Sequence, residues 1–295
     1  MSKEKFESKN FQAKSLEVIE TVNEILDEYA AQGFTLSLRQ LYYQLVARDY
    51  IENSIKSYKR IGTIVSDARL AGLIDWDMIE DRARETSIPP AWDTPADIIQ
   101  TAAAQFRLDR WKGQKNYIEV MVEKDALSGI LKPVCRDLHV RFTANKGYSS
   151  SSAMYEAGKR IAAAAENGKT PHLFYLGDHD PSGIDMTRDI TERLQVFSLD
   201  RLLKKNIDRL ALNMDQVTKW QPPENPAKES DTRYAAYLVD FGASSWELDA
   251  VEPATLAGLV RDAVNSLIDR RQWDKIARQE AAMRAELEHF ADNYK

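Results

Sequence analysis

The feature that most constrains this chain is a fourfold alternation between residues 117 and 212. Strand-length apolar runs fall at 117–122, 140–144, 172–176 and 209–212. Between them lie segments of helical character at about 126–138, 151–165 and 183–194. Parallel strands need long crossovers, and helices supply them. The rhythm therefore predicts a parallel sheet covered by helices on both faces. Acidic residues stand where two of the runs stop: Glu123 after the first, then Asp178 and Asp180 after the third. Open α/β sheets place their chemistry at the carboxyl ends of strands.

Upstream, the apolar period is helical throughout. Residues 11–32 carry Leu16, Ile19, Val22, Ile25, Leu26 and Tyr29 on one face, and Gly33 closes the segment. Ser37 opens a second helix with Leu38, Leu41, Tyr42 and Leu45 on its apolar stripe. A third, 54–71, aligns Ile55, Tyr58, Ile61, Val65 and Ala68 before Gly72. Followed by Leu73-Ile74-Asp75-Trp76, these read as a helix-turn-helix unit with a short strand or wing. Residues 86–115, with Pro89, Pro90 and Pro95, read as a connector holding one helix at 95–111. Downstream, 221–232 reads as a Pro-rich loop and 237–241 as a further strand. Two helices close the chain, the last (274–292) a charged, solvated one.

Charge narrows the function classes. Forty Lys and Arg against 46 Asp and Glu give −6, so the chain is no generic polycation and any nucleic-acid contact must be a local patch. Such a patch exists. Lys56, Lys59, Arg60 and Thr63 follow i, i+3, i+4, i+7 on the third helix, opposite its apolar face. Over 36–72 the basic residues Arg39, Arg48, Lys56, Lys59, Arg60 and Arg69 outnumber Asp49, Glu52 and Asp67. A basic recognition-type helix fits phosphate contact in a DNA groove; an ordinary solvated helix face is the alternative. The single cysteine, Cys135, excludes a disulfide framework and a multi-cysteine metal site. With no apolar run near the ~18 residues of a membrane span and no signal-peptide core at the start, a soluble cytoplasmic protein is expected.

Two constellations carry chemistry. In Leu176-Gly177-Asp178-His179-Asp180-Pro181-Ser182-Gly183, residues two apart in an extended strand end point the same way, so both aspartates can face one hard cation. Oxygen-only donors suit Mg²⁺, and Glu123 reaches the same ion or serves as acid/base. The same run also reads as a plain turn, and His179 as its occupant. In Leu38-Arg39-Gln40-Leu41-Tyr42-Tyr43, Tyr42 lies on the apolar stripe whereas Tyr43 falls off it, one turn after Arg39. A cation beside a phenol favours the phenolate and grips phosphate; packing is the alternative role for both tyrosines. Gly168-Lys169-Thr170 fails the P-loop spacing, and the four histidines lack zinc-motif spacing. Asn145-Lys146-Gly147-Tyr148 offers Lys146 as a phosphate contact, and in Trp246-Glu247-Leu248-Asp249-Ala250 Glu247 reads first as a helix-start or packing residue, with an outer carboxylate as the alternative.

Val122-Glu123-Lys124 at one strand end and Gly177-Asp178-His179-Asp180-Pro181-Ser182-Gly183 at a later one resemble a Toprim domain, the Mg²⁺-binding module of topoisomerases, bacterial primases and related nucleases. The Pro and Gly after the second Asp, together with the upstream Arg39 and tyrosine pair, resemble the A subunit of type IIB topoisomerase (topoisomerase VI) and the meiotic double-strand-break transesterase. The compact, single-chain versions of that A subunit found on mobile elements are the most similar. The resemblance covers about 33–253 and implies Tyr43 as nucleophile, with Glu123, Asp178 and Asp180 as metal ligands. It implies a division into an N-terminal arm (1–32), a winged-helix-like domain (33–113) and a Toprim domain with C-terminal helices (114–295). It further implies Mg²⁺, double-stranded DNA, a homodimer with tyrosine and metal from opposite protomers, and a possible separate ATPase subunit, since this chain has no nucleotide-binding signature. The expected activity is DNA cleavage through a tyrosyl–DNA phosphodiester. The alternatives are an Mg²⁺-dependent hydrolytic nuclease and a non-cleaving DNA-binding dimer.

Overall fold

A computed structural model of the chain describes residues 3–79, 89–145, 147–199, 201 and 204–294. The protein is α/β, built around a four-stranded sheet. Strands β1 (Asn116–Val122), β2 (Arg141–Ala144), β3 (Thr170–Leu176) and β4 (Ile207–Ala211) lie in the order β2-β1-β3-β4, and every neighbouring pair is parallel. The crossovers are helices α5 (Ser128–Asp137), α6 (Ser151–Glu166) and α7 (Pro181–Phe197), as the alternation predicts. β1 reads as an apolar run because it is central and covered on both sides. Ile118, Val120 and Val122 face a core shared with α5 and with α10 (Pro253–Ser266). Met121, one residue out of phase, joins Met154, Ile161, Leu173, Tyr175, Ile190 and Leu194 beneath α6 and α7.

A second body of helices stands upstream. α1 (Ala13–Ala31), α2 (Leu38–Ala47) and α3 (Ile55–Leu70) enclose a core of Val22, Ile25, Leu26, Tyr29, Leu36, Leu41, Leu45, Ile61 and Ile74. Ser37 caps α2 with a reciprocal bond to Gln40, and Ser54 caps α3. Ala250, from the far end of the chain, is packed into the same core, and the Tyr29 hydroxyl donates to Glu252 Oε2 at 2.5 Å. The helical body is thereby tied to the segment that follows the sheet.

Several expectations are corrected. Residues 73–76 form no strand. They are a turn held by the Arg69 guanidinium, which donates to the carbonyls of Trp76 and Ile79 and lies 4.5 Å from the Trp76 ring centroid. Only isolated bridges, Lys5 to Ala71 and Leu36 to Ile79, take the place of a wing among the described residues. The run expected as a strand at 237–241 is helix α9 (Tyr234–Phe241), because Tyr237 and Phe241, at i and i+4, pack together on the His179 ring. The expected loop contains β5 (Glu224–Pro226), paired antiparallel with β6 (Ser244–Trp246). Ahead of it, α8 (Met214–Trp220) starts from an Asn213/Gln216 capping box. Within the connector, α4 (Pro95–Gln105) stops short of 111 at an extended Phe106, and α11 (Arg270–Asp292) starts earlier than expected, capped by Asp269. Among the described residues, no helix is long and apolar enough to cross a membrane.

Candidate active site

Strand register brings the first two carboxylates together. Val122 pairs with Leu176 on adjacent strands, so the next residues, Glu123 and Gly177, leave the sheet side by side. The Glu123 amide donates to the Leu176 carbonyl at 2.9 Å, and the Asp178 amide donates back to Glu123 Oε2 at 2.8 Å. Gly177 permits this approach: a Cβ there would stand 2.8 Å from Glu123 Oε2. Asp178 Oδ1 accepts the Leu248 amide at 2.8 Å. Asp180 caps α7, its Oδ1 accepting the Gly183 amide at 2.6 Å and the Ser182 hydroxyl at 2.8 Å. The turn is held from below by Arg209 of β4, which donates to the carbonyls of Gly177 (2.9 Å), Asp178 (2.5 Å) and Gly183 (3.1 Å). His179 turns away from this end. It is buried against Tyr237, Phe241 and Trp246, Tyr237 Oη lies 2.8 Å from its Nδ1, and burial holds its pKa down at about 4. It is a packing residue.

Two further acids join from the segment after β6. Lys124, the neighbour of Glu123, lies 2.6 Å from Asp178 Oδ2 and 3.2 Å from Asp249 Oδ2, and forms a close ion pair with Glu247 Oε2. Arg39 reaches the same pair from α2, 2.7 Å from Glu247 Oε1 and 3.5 Å from Asp249 Oδ2. Burial pushes the Asp178 carboxyl well above its usual range, and Glu123 and Glu247 add to this against the pull of Lys124. Burial also raises Glu123, opposed by the Asp178 amide and Lys124. Glu247 moves down despite its burial, because Lys124 and Arg39 both favour its charged form.

Tyr43 is the larger correction. It is not solvent-facing; it is 4% exposed, as is Tyr42. α2 is covered on two sides, by the helical core on one and by residues around β5 and 248–250 on the other. The two tyrosines nevertheless differ in their bonds. Tyr42 Oη accepts the Ser54 amide at 2.8 Å and donates to Asn53 Oδ1 at 3.0 Å, so it is fully used in structure. Tyr43 Oη accepts from Asn225 Nδ2 at 3.2 Å, the Arg39 guanidinium carbon lies 5.8 Å from its ring centroid, and no acceptor for its own proton stands among the described residues. Burial raises its pKa above the usual 10 and Glu247 adds to that, while Asn225 and Arg39 pull the other way. The phenol is therefore the resting form, contrary to the expectation from Arg39 alone.

Tyr43 and Arg39 line a cavity of about 510 Å³ together with Asp180, Glu247, Asn225 and Lys228. Tyr42 also lines it, as do Ser54, Ile55 and Tyr58 at the start of α3, and Lys56, Lys59 and Arg60 are exposed on the same helix. Lys146 lies outside the described residues. Sequence reasoning missed Lys124, Asp249, Arg209 and Asn225. Lys124 and Asp249 were within reach, one adjacent to Glu123 and the other two residues from Glu247; Arg209 and Asn225 carry no local signal.

Among the described residues, no group of three His, Cys, Asp or Glu side chains is already arranged around a point that holds a metal ion. The donor chemistry nonetheless suits a hard cation. Five carboxylates (Glu123, Asp178, Asp180, Glu247 and Asp249) gather at this end of the sheet against the charges of Lys124, Arg39 and Arg209, and the buried Asp249 Oδ1 has no partner. Compared with known family models and with curated proteins, the chain gives no match.

Proposed function

We propose that the protein is an Mg²⁺-dependent DNA strand transesterase of the type IIB topoisomerase A-subunit kind, working as a homodimer on duplex DNA. The observation that carries the reading is the shared cavity: the candidate nucleophile Tyr43, its neighbour Arg39 and the strand-end acids Asp180 and Glu247 face one space. In this reading the helices of 33–79 form the DNA-binding half, and the exposed Lys56, Lys59 and Arg60 hold the backbone beside that space.

Tyr43 Oη attacks the phosphorus and forms a phosphotyrosyl ester, while the bond from phosphorus to the 3′ oxygen breaks and that oxygen leaves as a hydroxyl. Asn225 and Arg39 stabilise the developing phenolate, since both donate or offer charge to Oη. Arg39 is also placed to grip a phosphate oxygen. Glu123, Asp178 and Asp180 would hold Mg²⁺, which when bound neutralises charge at the scissile phosphate. The proton that Tyr43 gives up passes to water, and water returns one to the leaving 3′ oxygen, so that Glu123 stays ionised to hold the ion. Because the phosphodiester energy is kept in the tyrosyl ester, the cut reseals. Strand passage would be driven by a separate ATPase subunit, for whose nucleotide this chain carries no binding signature.

The test is supercoiled plasmid with Mg²⁺, stopped with denaturant and treated with protease. The parent is expected to yield protein-linked 5′ ends, and Tyr43→Phe none. Equal adducts from both proteins would remove Tyr43 from the mechanism. One observation favours a second reading, hydrolysis by the same carboxylates: the resting Tyr43 is a buried phenol rather than a phenolate. That reading expects protein-free ends and full cutting by Tyr43→Phe.

A further inference from the structure

The Lys124 ammonium sits where three carboxylates converge, those of Asp178, Glu247 and Asp249. Its three N–H donors match these acceptors one for one. Arg39 takes the other oxygen of Glu247, Oε1, and shares Asp249 Oδ2 with Lys124, while Asp249, 1% exposed, keeps an unpartnered Oδ1 in the same cluster. Asp178 divides the acids into two groups. On one side it meets Glu123 and, two residues on, Asp180, whose bonded partners are a hydroxyl and an amide. On the other it meets Glu247 and Asp249 across Lys124. Lys124 bonds to the first group only through the shared Asp178, and Arg209 stands beside that group, whereas the second is built around the ammonium.

We propose that Lys124 is a built-in cation filling the second of two cation positions at the strand ends, so that the chain takes a single divalent ion, at Glu123, Asp178 and Asp180. The inference rests on the metal-binding part of the proposed function and deepens it. Lys124 acts through Asp178 and is a positioning residue. Its ammonium fixes one oxygen of the shared aspartate and neutralises acids that would otherwise repel one another. Replacing it with methionine keeps an unbranched side chain one atom shorter and removes the charge. Asp178, Glu247 and Asp249 then form an oxygen-lined position with only Arg39 beside it, which a hard divalent cation occupies.

The experiment counts Mn²⁺ bound to the full chain, by the electron paramagnetic resonance of free Mn²⁺ and by calorimetry, with thermal unfolding in chelator and in Mn²⁺ alongside. The parent is expected to bind one ion per chain and Lys124→Met two. Lys124→Met combined with Asp249→Asn is expected to return to one. Lys124→Met should lose thermal stability in chelator and recover it in Mn²⁺, with a larger ion-induced shift than the parent. Two ions on the parent, or one on Lys124→Met with no larger shift, would overturn the proposal and leave the metal reading standing. A Lys124→Met chain that stays unfolded in Mn²⁺ would also overturn it, since the acids would then require the ammonium itself. No ion on parent or variant would remove the metal reading and this inference together, while the Tyr43→Phe adduct test stays independent of both.

Discussion

Gly183 is the residue on which the aspartate turn closes, and replacing it with alanine tests that geometry sharply. A Cβ at Gly183 would stand 2.2 Å from the Asp178 carbonyl oxygen, 3.0 Å from its carbon and 3.2 Å from Asp180 Oδ1. Ordinary contact begins near 3.4 Å, so the carbonyl must retreat by about 1 Å. It is not free to do so, because Arg209 Nη2 holds it at 2.5 Å and the same guanidinium holds the Gly177 and Gly183 carbonyls. Overpacking against fixed backbone costs about 2–3 kcal/mol. Gly258, in α10, provides the control: nothing lies within 4 Å of the position its Cβ would take, so alanine there relieves only the backbone entropy of a helical glycine. Gly258→Ala is expected to stabilise by about 0.5–1 kcal/mol. Urea unfolding of the two variants should therefore move in opposite directions from the parent, and Gly183→Ala should also weaken Mn²⁺ binding because Asp178 is displaced. A Gly183→Ala protein as stable as the parent would refute the close approach of α7 to the Asp178 carbonyl.

Three further outcomes follow from separate parts of the molecule. Glu280 is buried and accepts from Arg110 at 2.8 Å, Arg284 at 3.1 Å and the Leu108 amide at 2.9 Å; burial raises its pKa, but these partners outweigh it and bring it below the usual value. A depressed carboxyl contributes stability that is present above the unfolded pKa and lost as pH falls through the folded one. Glu280→Gln should cost about 3 kcal/mol at neutral pH, with the gap from the parent closing below about pH 4.5; a gap constant from pH 7 to 3 would contradict the assignment. Arg39→Gln should change stability by less than about 1 kcal/mol, because the guanidinium is half exposed, yet slow adduct formation by roughly a hundredfold; quench-flow with a denaturing stop separates the two effects, and an unchanged rate removes Arg39 from the chemistry. Serine at Lys56, Lys59 and Arg60 together should weaken duplex binding uniformly across sequences and flatten the log–log salt slope by about 2.7, at about 0.9 per phosphate contact; an unchanged slope in fluorescence anisotropy would place DNA elsewhere.

How far the chain could be read in advance depended on distance along it. The sheet was readable because each strand is a local apolar run, and the meeting of Glu123 with Asp178 followed once 117–122 and 172–176 became neighbours in register. The short run 237–241 was not, since five apolar-rich residues fit a strand or a helix equally well, and the choice is made by packing on His179, which stands 58 residues away in the chain. Tyr43 shows the same limit. Helical periodicity sets it off the stripe of α2, yet it is as buried as Tyr42 and belongs to the same core, because the segment that covers it, with Asn225 bonded to its hydroxyl, arrives from 182 residues downstream. Lys124 reads locally as a neighbour of Glu123, and only the return of Glu247 and Asp249 gives its charge a role.

The most direct measurement digests the trapped protein–DNA adduct with nuclease and trypsin and locates the nucleotide by fragment-ion mass spectrometry. Cleavage after Arg39 and Arg48 yields one peptide, residues 40–48, holding both tyrosines. A nucleotide phosphate on Tyr43, with Tyr42 unmodified, is the expected spectrum. A nucleotide on Tyr42 or on another peptide, or its absence when the DNA is fully cut, would contradict Tyr43 as the nucleophile.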